Sequence, residues 1–387
     1  MAHRMQIAWE AVRERLRTPR GRALPLFFAV TFAVLLAVHQ IGDARYDFGV
    51  FYYAAHMVNG GAGGQLYNLA AQHMWQARFH RPPNLLFYYP PFALLPFLPL
   101  AWLPIGWAYA VWTAVSLALL ALDVRLLASY AGAAASDWPW LTALAFMPVS
   151  TSLAHGQLSL VALTGFVLAW SAWRRGRSFA GGLLLALAGF KFQLIAGFLA
   201  VLVVRRKWKE LAGLACGAAL ELVVSLAMAG PRTILDYGAF VRQAEGGVGS
   251  EPTNMASWRG IAALLGMDHP AIVLTLTAAA VLWAARSWTN LDRGVSASVL
   301  ASILAGYHVN PQDLALCLVP FILCCKQGLL PAAHQRAAAL AALLAPMLLA
   351  AVHLPYALMG LLLAAALTAI GLRPGSPPAT APLQDPV

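Results

Sequence analysis

The chain has 387 residues, of which 60% are hydrophobic and only 11% are Asp, Glu, Lys or Arg. A soluble domain usually carries about 25% charged residues, so this composition excludes an ordinary soluble protein and indicates a polytopic membrane protein. The net charge of +11 does not indicate a nucleic-acid partner, because the basic residues cluster in short loops, as the positive-inside rule expects, and no nucleic-acid-binding motif accompanies them. The length allows about ten to thirteen spans of roughly 20 residues each.

The N-terminal part predicts one membrane helix followed by a long outer loop. The basic segment 1–23 is expected in the cytoplasm, because positive charge favours the inner side of a membrane, and the apolar run 24–42 follows it as the first helix. Residues 43–91 are then expected to form an outer loop. The glycine-rich stretch within it, residues 60–64, predicts a turn.

Prolines are dense from residue 90 to residue 104. Proline disrupts a helix interior, so this stretch predicts a re-entrant or surface element ahead of a spanning helix from about residue 105 to about residue 122. Asp123 and Arg125 are expected to mark the cytoplasmic end of that helix.

Three apolar runs carry a polar centre and are predicted to be hairpins, each with its polar tip on the outer side. The runs are 139–173, 179–204 and 295–325. Each arm of the second run is only about 18 Å long, too short for a bilayer, so partial or broken helices lining a polar cavity are expected. The three tips carry His155 and Gln157; Lys191 and Gln193; and His308 and Asp313.

The remaining elements complete a membrane domain over residues 24–372. A helix at about 210–229, a second outer loop at about 230–269 and a helix at about 270–288 precede the third hairpin, and two segments at about 337–353 and 355–371 follow it. The tail 373–387 is expected to be disordered in the cytoplasm. The prediction is an all-α bundle of about 12 transmembrane or partial membrane helices.

Asp47 is the first candidate catalytic residue, because a carboxylate at the mouth of a membrane span is costly to place without a use. An ionised carboxylate within hydrogen-bond reach can take a proton from a hydroxyl nucleophile. The alternative is a loop carboxylate that pairs with Arg45 or caps a helix beginning at Phe48. Asp43 is a second, weaker candidate for the same work.

Two further polar residues suit an anionic group. Lys191 lies within an apolar run, where it would suit a phosphate or pyrophosphate of a lipid-linked substrate; the alternative is a structural ion pair with Glu221 or Asp313. His308 can donate to a phosphate or shuttle a proton, or it can cap a broken helix. The polar tips add possible substrate-binding residues, namely His155, Gln157 and Asp313.

The aromatic segments allow two interpretations. Tyr88 and Tyr89, with the two prolines after them, fit either an interfacial belt or a surface for sugar rings and lipid. The aromatic stripe from Phe48 to Tyr53 favours a core. No Gly-rich phosphate loop, GxSxG or HExxH motif is present, and no Asp-x-Asp pair for a metal-bound nucleotide sugar occurs. We therefore expect neither a metal nor a cofactor.

Taken together, these segments resemble glycosyltransferase family 87, which includes the polyprenyl-phosphate-mannose-dependent alpha-1,2-mannosyltransferases. The resemblance covers roughly residues 40–325 and lies in Asp47, Gly63 to Tyr67, Tyr89-Pro90-Pro91, His155-Gly156-Gln157, Lys191 with Gln193, and His308. The sequence differs from the family pattern at Ser159, where Asn is common, and at Phe192, where Pro is common.

The resemblance implies a GT-C fold and a multi-pass protein of the bacterial inner membrane, with cytoplasmic termini and a periplasmic active site. It implies inverting transfer of a sugar, by default mannose, from a polyprenyl-phosphate donor to a hydroxyl of a lipid or glycan acceptor, with no metal. By position, Asp47 matches the catalytic base and Lys191 and His308 match residues near the donor phosphate; Tyr89 and Gln193 are further candidates there.

A lipid or solute transporter, or a flippase, is the alternative function, and a non-catalytic subunit of an envelope-polymer complex is a third. Broken helices and intramembrane polar residues are also features of transporters. A transporter is expected to show an internal repeat and a site at mid-membrane, whereas the sequence shows no convincing repeat of residues 47–91 and its polar tips fall near one face. The sequence therefore favours an enzyme.

Overall fold

A computed structural model describes residues 47–79, 86–131, 143–247, 251–267, 269–326, 345–346, 348–349 and 352–372. All regular secondary structure in this part of the chain is helical, in agreement with the predicted all-α class. The predicted first helix, Asp43 and the C-terminal tail lie outside the described residues.

The predicted outer loop 43–91 contains two helices, α1 (Asp47–Asn59) and α2 (Leu69–Ala77). The aromatic stripe forms the buried side of α1, as its sequence predicts: Phe51 stacks on Phe97 with ring centroids 4.7 Å apart. A short 3-10 helix at Gly63–Gln65 lies between α1 and α2, and two more follow α2 at Pro91–Leu94 and Leu100–Trp102. The last two occupy the proline-rich stretch, where the missing N–H groups disfavour a long helix.

Helix α3 (Ile105–Ala131) begins where the sequence predicts, but it runs beyond residue 122. Asp123 does not mark its end. The side chain is buried inside the helix bundle, where Oδ2 accepts a hydrogen bond of 2.9 Å from Thr164 Oγ1. A hydrogen-bond partner on a neighbouring helix makes a carboxyl group tolerable inside an apolar helix pair, so the predicted boundary is wrong.

The first predicted hairpin has its polar turn in the expected place. Helix α4 (Met147–His155) ends at Gly156, and α5 (Ser159–Arg174) begins three residues later. Gly156 has φ of +62° and packs so closely on α1 that a Cβ there would lie 2.7 Å from Phe48 Cβ. Only glycine meets both requirements without strain.

The second hairpin consists of α6 (Ser178–Leu185), a 3-10 helix at Ala186–Lys191, and α7 (Phe192–Val204). The run is long and apolar enough to cross a membrane once, but its contacts show that the chain reverses. Trp173 donates to Ser178 O at 3.1 Å, and its ring lies 5.7 Å from that of Phe198. In a continuous helix Ser178 and Phe198 would be about 30 Å apart, so the predicted hairpin is confirmed.

Helix α8 (Trp208–Gly247) is interrupted at Gly230, where φ is 78° and ψ is 164°, next to Pro231. Its first half matches the predicted helix 210–229 and packs tightly on α6: a Cβ at Gly213 would lie 2.0 Å from Phe179 O. Its second half occupies the predicted outer loop 230–269, which is therefore largely helical. The 3-10 helix Pro252–Asn254 and helix α9 (Trp258–Leu264) complete that region.

The C-terminal half adds α10 (Pro270–Arg286), α11 (Leu291–Ala305), a 3-10 helix at Pro311–Cys317, α12 (Leu318–Lys326) and α13 (Ala357–Leu372). Residues 306–310 form the turn of the third predicted hairpin. At the far end of α5 from its polar turn, Asp292 accepts hydrogen bonds from Trp170, Arg174 and Tyr130 and joins α11 to α5 and α3.

In the part of the chain that the structure describes, three helical stretches have the length and apolar character needed to cross a membrane: Ile105–Tyr130, Ser178–Val204 and Trp208–Arg242. The second of them is the hairpin. Large apolar side chains such as Trp107 and Leu220 are exposed along the other two, as expected for surfaces that face lipid. The total of about 12 segments remains a prediction.

Candidate active site

Asp47 lies at the first residue of α1, at one end of the bundle. Its Oδ2 is 3.3 Å from Nδ1 of His155, the last residue of α4. Their side chains are 32% and 31% exposed. The close packing of Gly156 on Phe48 brings the end of α4 to the start of α1. An accessible carboxylate beside an imidazole is the arrangement that a proton acceptor needs.

Tyr89 is buried next to Asp47 and His155 and forms one wall of the site. Its hydroxyl donates to Gln157 Oε1 at 3.4 Å, two residues beyond His155. Burial raises the pKa of Tyr89 well above its usual range, and the carboxylates of Asp47 and Asp313 raise it further, whereas the hydrogen bond to Gln157 lowers it. Tyr89 therefore stays a neutral hydrogen-bond donor at physiological pH.

Tyr88 extends this wall to the surface. Its ring stacks on Tyr89 with centroids 5.3 Å apart, and 46% of the residue is exposed. Its backbone oxygen accepts a hydrogen bond from the Tyr237 hydroxyl in the second half of α8. The two segments that the sequence predicts as outer loops therefore pack beside the site, and an aromatic face at its mouth is suited to a sugar ring or a lipid chain.

Lys191 and Asp313 form a buried ion pair, with Lys191 Nζ 2.6 Å from Asp313 Oδ1. The same oxygen accepts a bond of 2.9 Å from Ser159 Oγ, and Oδ2 accepts from the backbone N–H of Asn310 at 3.1 Å. The sequence allowed an ion pair of Lys191 with either Glu221 or Asp313, and the structure contains the pair with Asp313. Asp313 has no exposed surface and both of its oxygens are occupied.

The structure adds Ser159 to the site, whereas the sequence marks it only as a difference from the pattern that it resembles and assigns it no role. Its position as the first residue of α5, two residues after Gln157, is the available signal. A serine hydroxyl carries little information by itself, however, because its partner Asp313 is 154 residues away in sequence.

Glu221, the other partner considered for Lys191, lies beside Gly189. A Cβ on this glycine would be 2.4 Å from Glu221 Oε2. Glu221 therefore packs against the 3-10 helix that ends at Lys191, while Lys191 itself pairs with Asp313.

Gln193 and His308 join the third tip to the second. Gln193 Nε2 donates to the backbone oxygen of His308 at 3.4 Å, and the His308 ring meets the Tyr307 ring edge-on with centroids 5.0 Å apart. Lys191 Nζ lies 6.0 Å from the centroid of the Tyr89 ring. Tyr89 in turn contacts Gln157, so these two tips lie next to the part of the site that holds Asp47 and His155.

The structure therefore brings those predicted site residues that it describes to one end of the bundle, although Asp47 and Asp313 are 266 residues apart in the sequence. Asp47 and His155 are accessible there, while Lys191 and Asp313 are buried behind Tyr89. The arrangement combines an open carboxylate, neutral donors and a buried cation, which are the groups needed to deprotonate a hydroxyl and to bind an anion.

Comparison with models of known protein families identifies a match. The model of glycosyltransferase family 87 matches residues 87–311, more than half of the chain. The matched segment includes Tyr89, His155, Lys191 and His308, whereas Asp47 precedes it. No curated protein and no solved structure matches the chain.

Proposed function

The chain belongs to glycosyltransferase family 87 and is a membrane glycosyltransferase, and from that premise we propose that it moves a sugar from a polyprenyl-phosphate donor to a hydroxyl of a lipid or glycan acceptor. The observation that carries the proposal is the accessible Asp47 carboxylate in contact with His155, at the end of the bundle that also holds Lys191. Mannose is the sugar that we propose.

Asp47 acts as the general base in this reaction. Its carboxylate takes the proton of the acceptor hydroxyl while the acceptor oxygen attacks the anomeric carbon of the donor. A new glycosidic C–O bond forms, the bond from the anomeric carbon to the phosphate oxygen breaks, and the polyprenyl phosphate leaves with the bonding electrons. One displacement inverts the anomeric configuration. His155, 3.3 Å away, positions the carboxylate.

The departing phosphate is stabilised by positioned donors. Lys191 has three N–H groups, and Asp313 is hydrogen-bonded to one of them. His308 adds an imidazole and Gln193 an amide, whereas the Tyr89 hydroxyl gives its one hydrogen to Gln157. Fixed donors of this kind stabilise developing negative charge without reorganising during the reaction. We propose no metal ion for this step, so the transfer rate is expected to be unchanged by EDTA.

The site faces the periplasm of a bacterial inner membrane in this proposal, and both termini are cytoplasmic. The support is the charge pattern: the basic run 13–22 precedes the first candidate residue, the basic runs 174–177 and 205–209 lie between the candidate tips along the chain, and basic loops favour the inner side. The tips that carry His155, Lys191 and His308 then fall on the other side.

The test is sugar transfer by the purified Asp47→Asn protein, with a polyprenyl-phosphate sugar and a lipid extract as acceptor. Loss of a general base typically costs about 10²–10⁴-fold in rate, so we expect a fall of at least about a hundredfold with unchanged donor binding. Asp236→Asn is the matched control, because Asp236 is an exposed carboxylate on α8 with no ion pair among the described residues. Full activity of Asp47→Asn would overturn the assignment.

A further inference from the structure

Arg259, on the first turn of α9, lies beside the third polar tip. Its guanidinium carbon is 3.9 Å from the centroid of the Tyr307 ring, and Nη1 donates to the Tyr307 backbone oxygen at 3.4 Å. A weak contact of Nη1 with Met255 Sδ, at 4.0 Å, is its other interaction. Within the described chain, Nη2 and Nε of Arg259 have no hydrogen-bond partner, and no carboxylate pairs with this guanidinium.

The turn that carries Arg259 is rigid. Met255, Ala256 and Ser257 are buried, and a Cβ at Gly260 would lie 2.0 Å from Met255 O. Helix α9 packs on α13, where Gly360 lies against the Ile261 side chain. A cation held on such a turn loses little conformational freedom when it binds a ligand.

The two residues before Arg259 carry further hydrogen-bond donors. Ser257 Oγ and Trp258 Nε1 are buried and have no hydrogen-bond partner among the described residues. Buried polar atoms are normally paired, so an unpaired one requires an explanation. Residues 257–259 thus each carry a hydrogen-bond donor that has no partner among the described residues.

Arg259 and Lys191 contact opposite ends of the same tip, residues 307–313. Arg259 binds the Tyr307 end, Lys191 binds Asp313, and Gln193 binds the backbone between them at His308. The charge of Lys191 is balanced by Asp313 at 2.6 Å. Among the described residues, Arg259 is therefore a positive charge at this tip that no carboxylate balances, and a phosphate that approaches the tip would meet it there.

We propose that Arg259 binds the phosphate group of the lipid-linked donor and is the principal cation of the donor site. The proposal rests on the proposed function above. A planar guanidinium whose Nε and Nη2 have no partner among the described residues matches two phosphate oxygens, and its stacking on Tyr307 fixes the plane of the guanidinium. Lys191 then holds the 307–313 tip in place through Asp313 and approaches the phosphate from the buried side.

The test is direct binding of a radiolabelled polyprenyl phosphate to the full-length protein in detergent. Arg259→Gln is expected to weaken this binding by about tenfold or more, since the phosphate loses its charge-assisted hydrogen bonds to the guanidinium. Arg259→Lys keeps the charge but loses the fork, and we expect an intermediate loss of about threefold. Arg242→Gln is the matched control, because Arg242 is an exposed arginine on the second half of α8.

Two competitors identify the source of the phosphate. Unlabelled phosphatidylglycerol should displace the label poorly and equally in all variants, and polyprenol of the same chain length should compete equally well in wild type and Arg259→Gln. Equal displacement by phosphatidylglycerol and polyprenyl phosphate would assign Arg259 to ordinary membrane lipid and overturn the proposal. A matching loss of polyprenol competition in Arg259→Gln would show a structural role and also overturn it.

The outcomes separate this proposal from the proposed function. If the wild type binds polyprenyl phosphate and Arg259→Gln binds it equally well, Arg259 is excluded while the donor class stands. If the wild type does not bind polyprenyl phosphate, the donor class itself is wrong, and the assignment of Arg259 fails with it.

Discussion

Lys191 Nζ lies 2.6 Å from Asp313 Oδ1, and the two side chains are only 5% and 0% exposed. A buried pair of this kind costs much to desolvate, and removing one partner leaves the other charge uncompensated. The bond also ties the second hairpin to the third, because Lys191 ends one 3-10 helix and Asp313 lies at the start of another.

The first prediction concerns that pair. Asp313→Asn should lower the free energy of unfolding by about 3–5 kcal/mol, because the Lys191 ammonium is then buried without its counter-charge. The double variant Lys191→Leu/Asp313→Leu removes both charges and should regain most of the thermal midpoint measured in detergent. We expect the double variant to be folded but to transfer sugar at about a hundredth of the wild-type rate or less, because a positioned donor at the phosphate is missing. Wild-type activity in the double variant would show that the pair serves the fold alone.

The second prediction concerns His155, which acts through Asp47. His155→Phe should lower kcat by roughly tenfold to a hundredfold, because the carboxylate loses the contact that orients it. The KM for the donor should change little, since in the proposed reaction His155 acts on the base Asp47 and not on the donor phosphate. His155→Asn, whose amide can restore a contact near Nδ1, should recover part of the rate. The control is His73→Gln on α2, a histidine outside the site.

A fall in donor affinity with unchanged kcat in His155→Phe would contradict this role, because it would place the imidazole at the phosphate. Equal rates for the Phe and Asn variants would show that the contact with Asp47 does not matter.

The polar tips could be predicted from the sequence because each one interrupts an apolar run with a local signal. Gly156 provides the left-handed turn, and Pro311 follows Asn310 at the start of a helix with a capping box. Lys191 interrupts the most apolar of the three runs. Signals of this kind are local, so they survive without knowledge of the tertiary structure.

The helices within the two predicted outer loops, 43–91 and 230–269, could not be predicted in the same way. Tyr67 packs on Tyr237 and Phe240 with ring centroids about 5 Å apart, and these contacts join segments 170 residues apart. Neither segment has an apolar face that indicates a helix alone, so the sequence predicts loops where the structure has helices. The sequence predicts a helix end at Asp123 for a related reason: its partner Thr164 lies on another helix.

The third prediction uses the raised pKa of Tyr89. The folded-state pKa lies above the unfolded value of about 10, because burial and two carboxylates oppose ionisation. The stability contributed by this group is therefore fully present below about pH 10 and is lost as the pH rises through the folded pKa. The thermal midpoint in detergent should fall steeply above pH 10, and Tyr89→Phe should make that fall shallower.

Phe87→Leu is the control for Tyr89→Phe, because Phe87 is a buried neighbour without an ionisable group. It should lower the midpoint at every pH without changing the alkaline slope. An alkaline slope that is the same in wild type and Tyr89→Phe would contradict the burial of an ionisable hydroxyl at this position.

The fourth prediction compares two glycines that both have positive φ. Gly176→Ala should cost roughly 1–2 kcal/mol, the strain of a left-handed residue with a side chain, because a Cβ there meets nothing within 4 Å. Gly156→Ala should cost about 1–3 kcal/mol more, since its Cβ would lie 2.7 Å from Phe48 Cβ and force α4 away from α1. The same displacement separates His155 from Asp47, so transfer should fall in the protein that remains folded. Thermal midpoints and transfer rates of the two variants measure both effects, and equal losses in both would contradict the close contact between Gly156 and Phe48 that assembles the site.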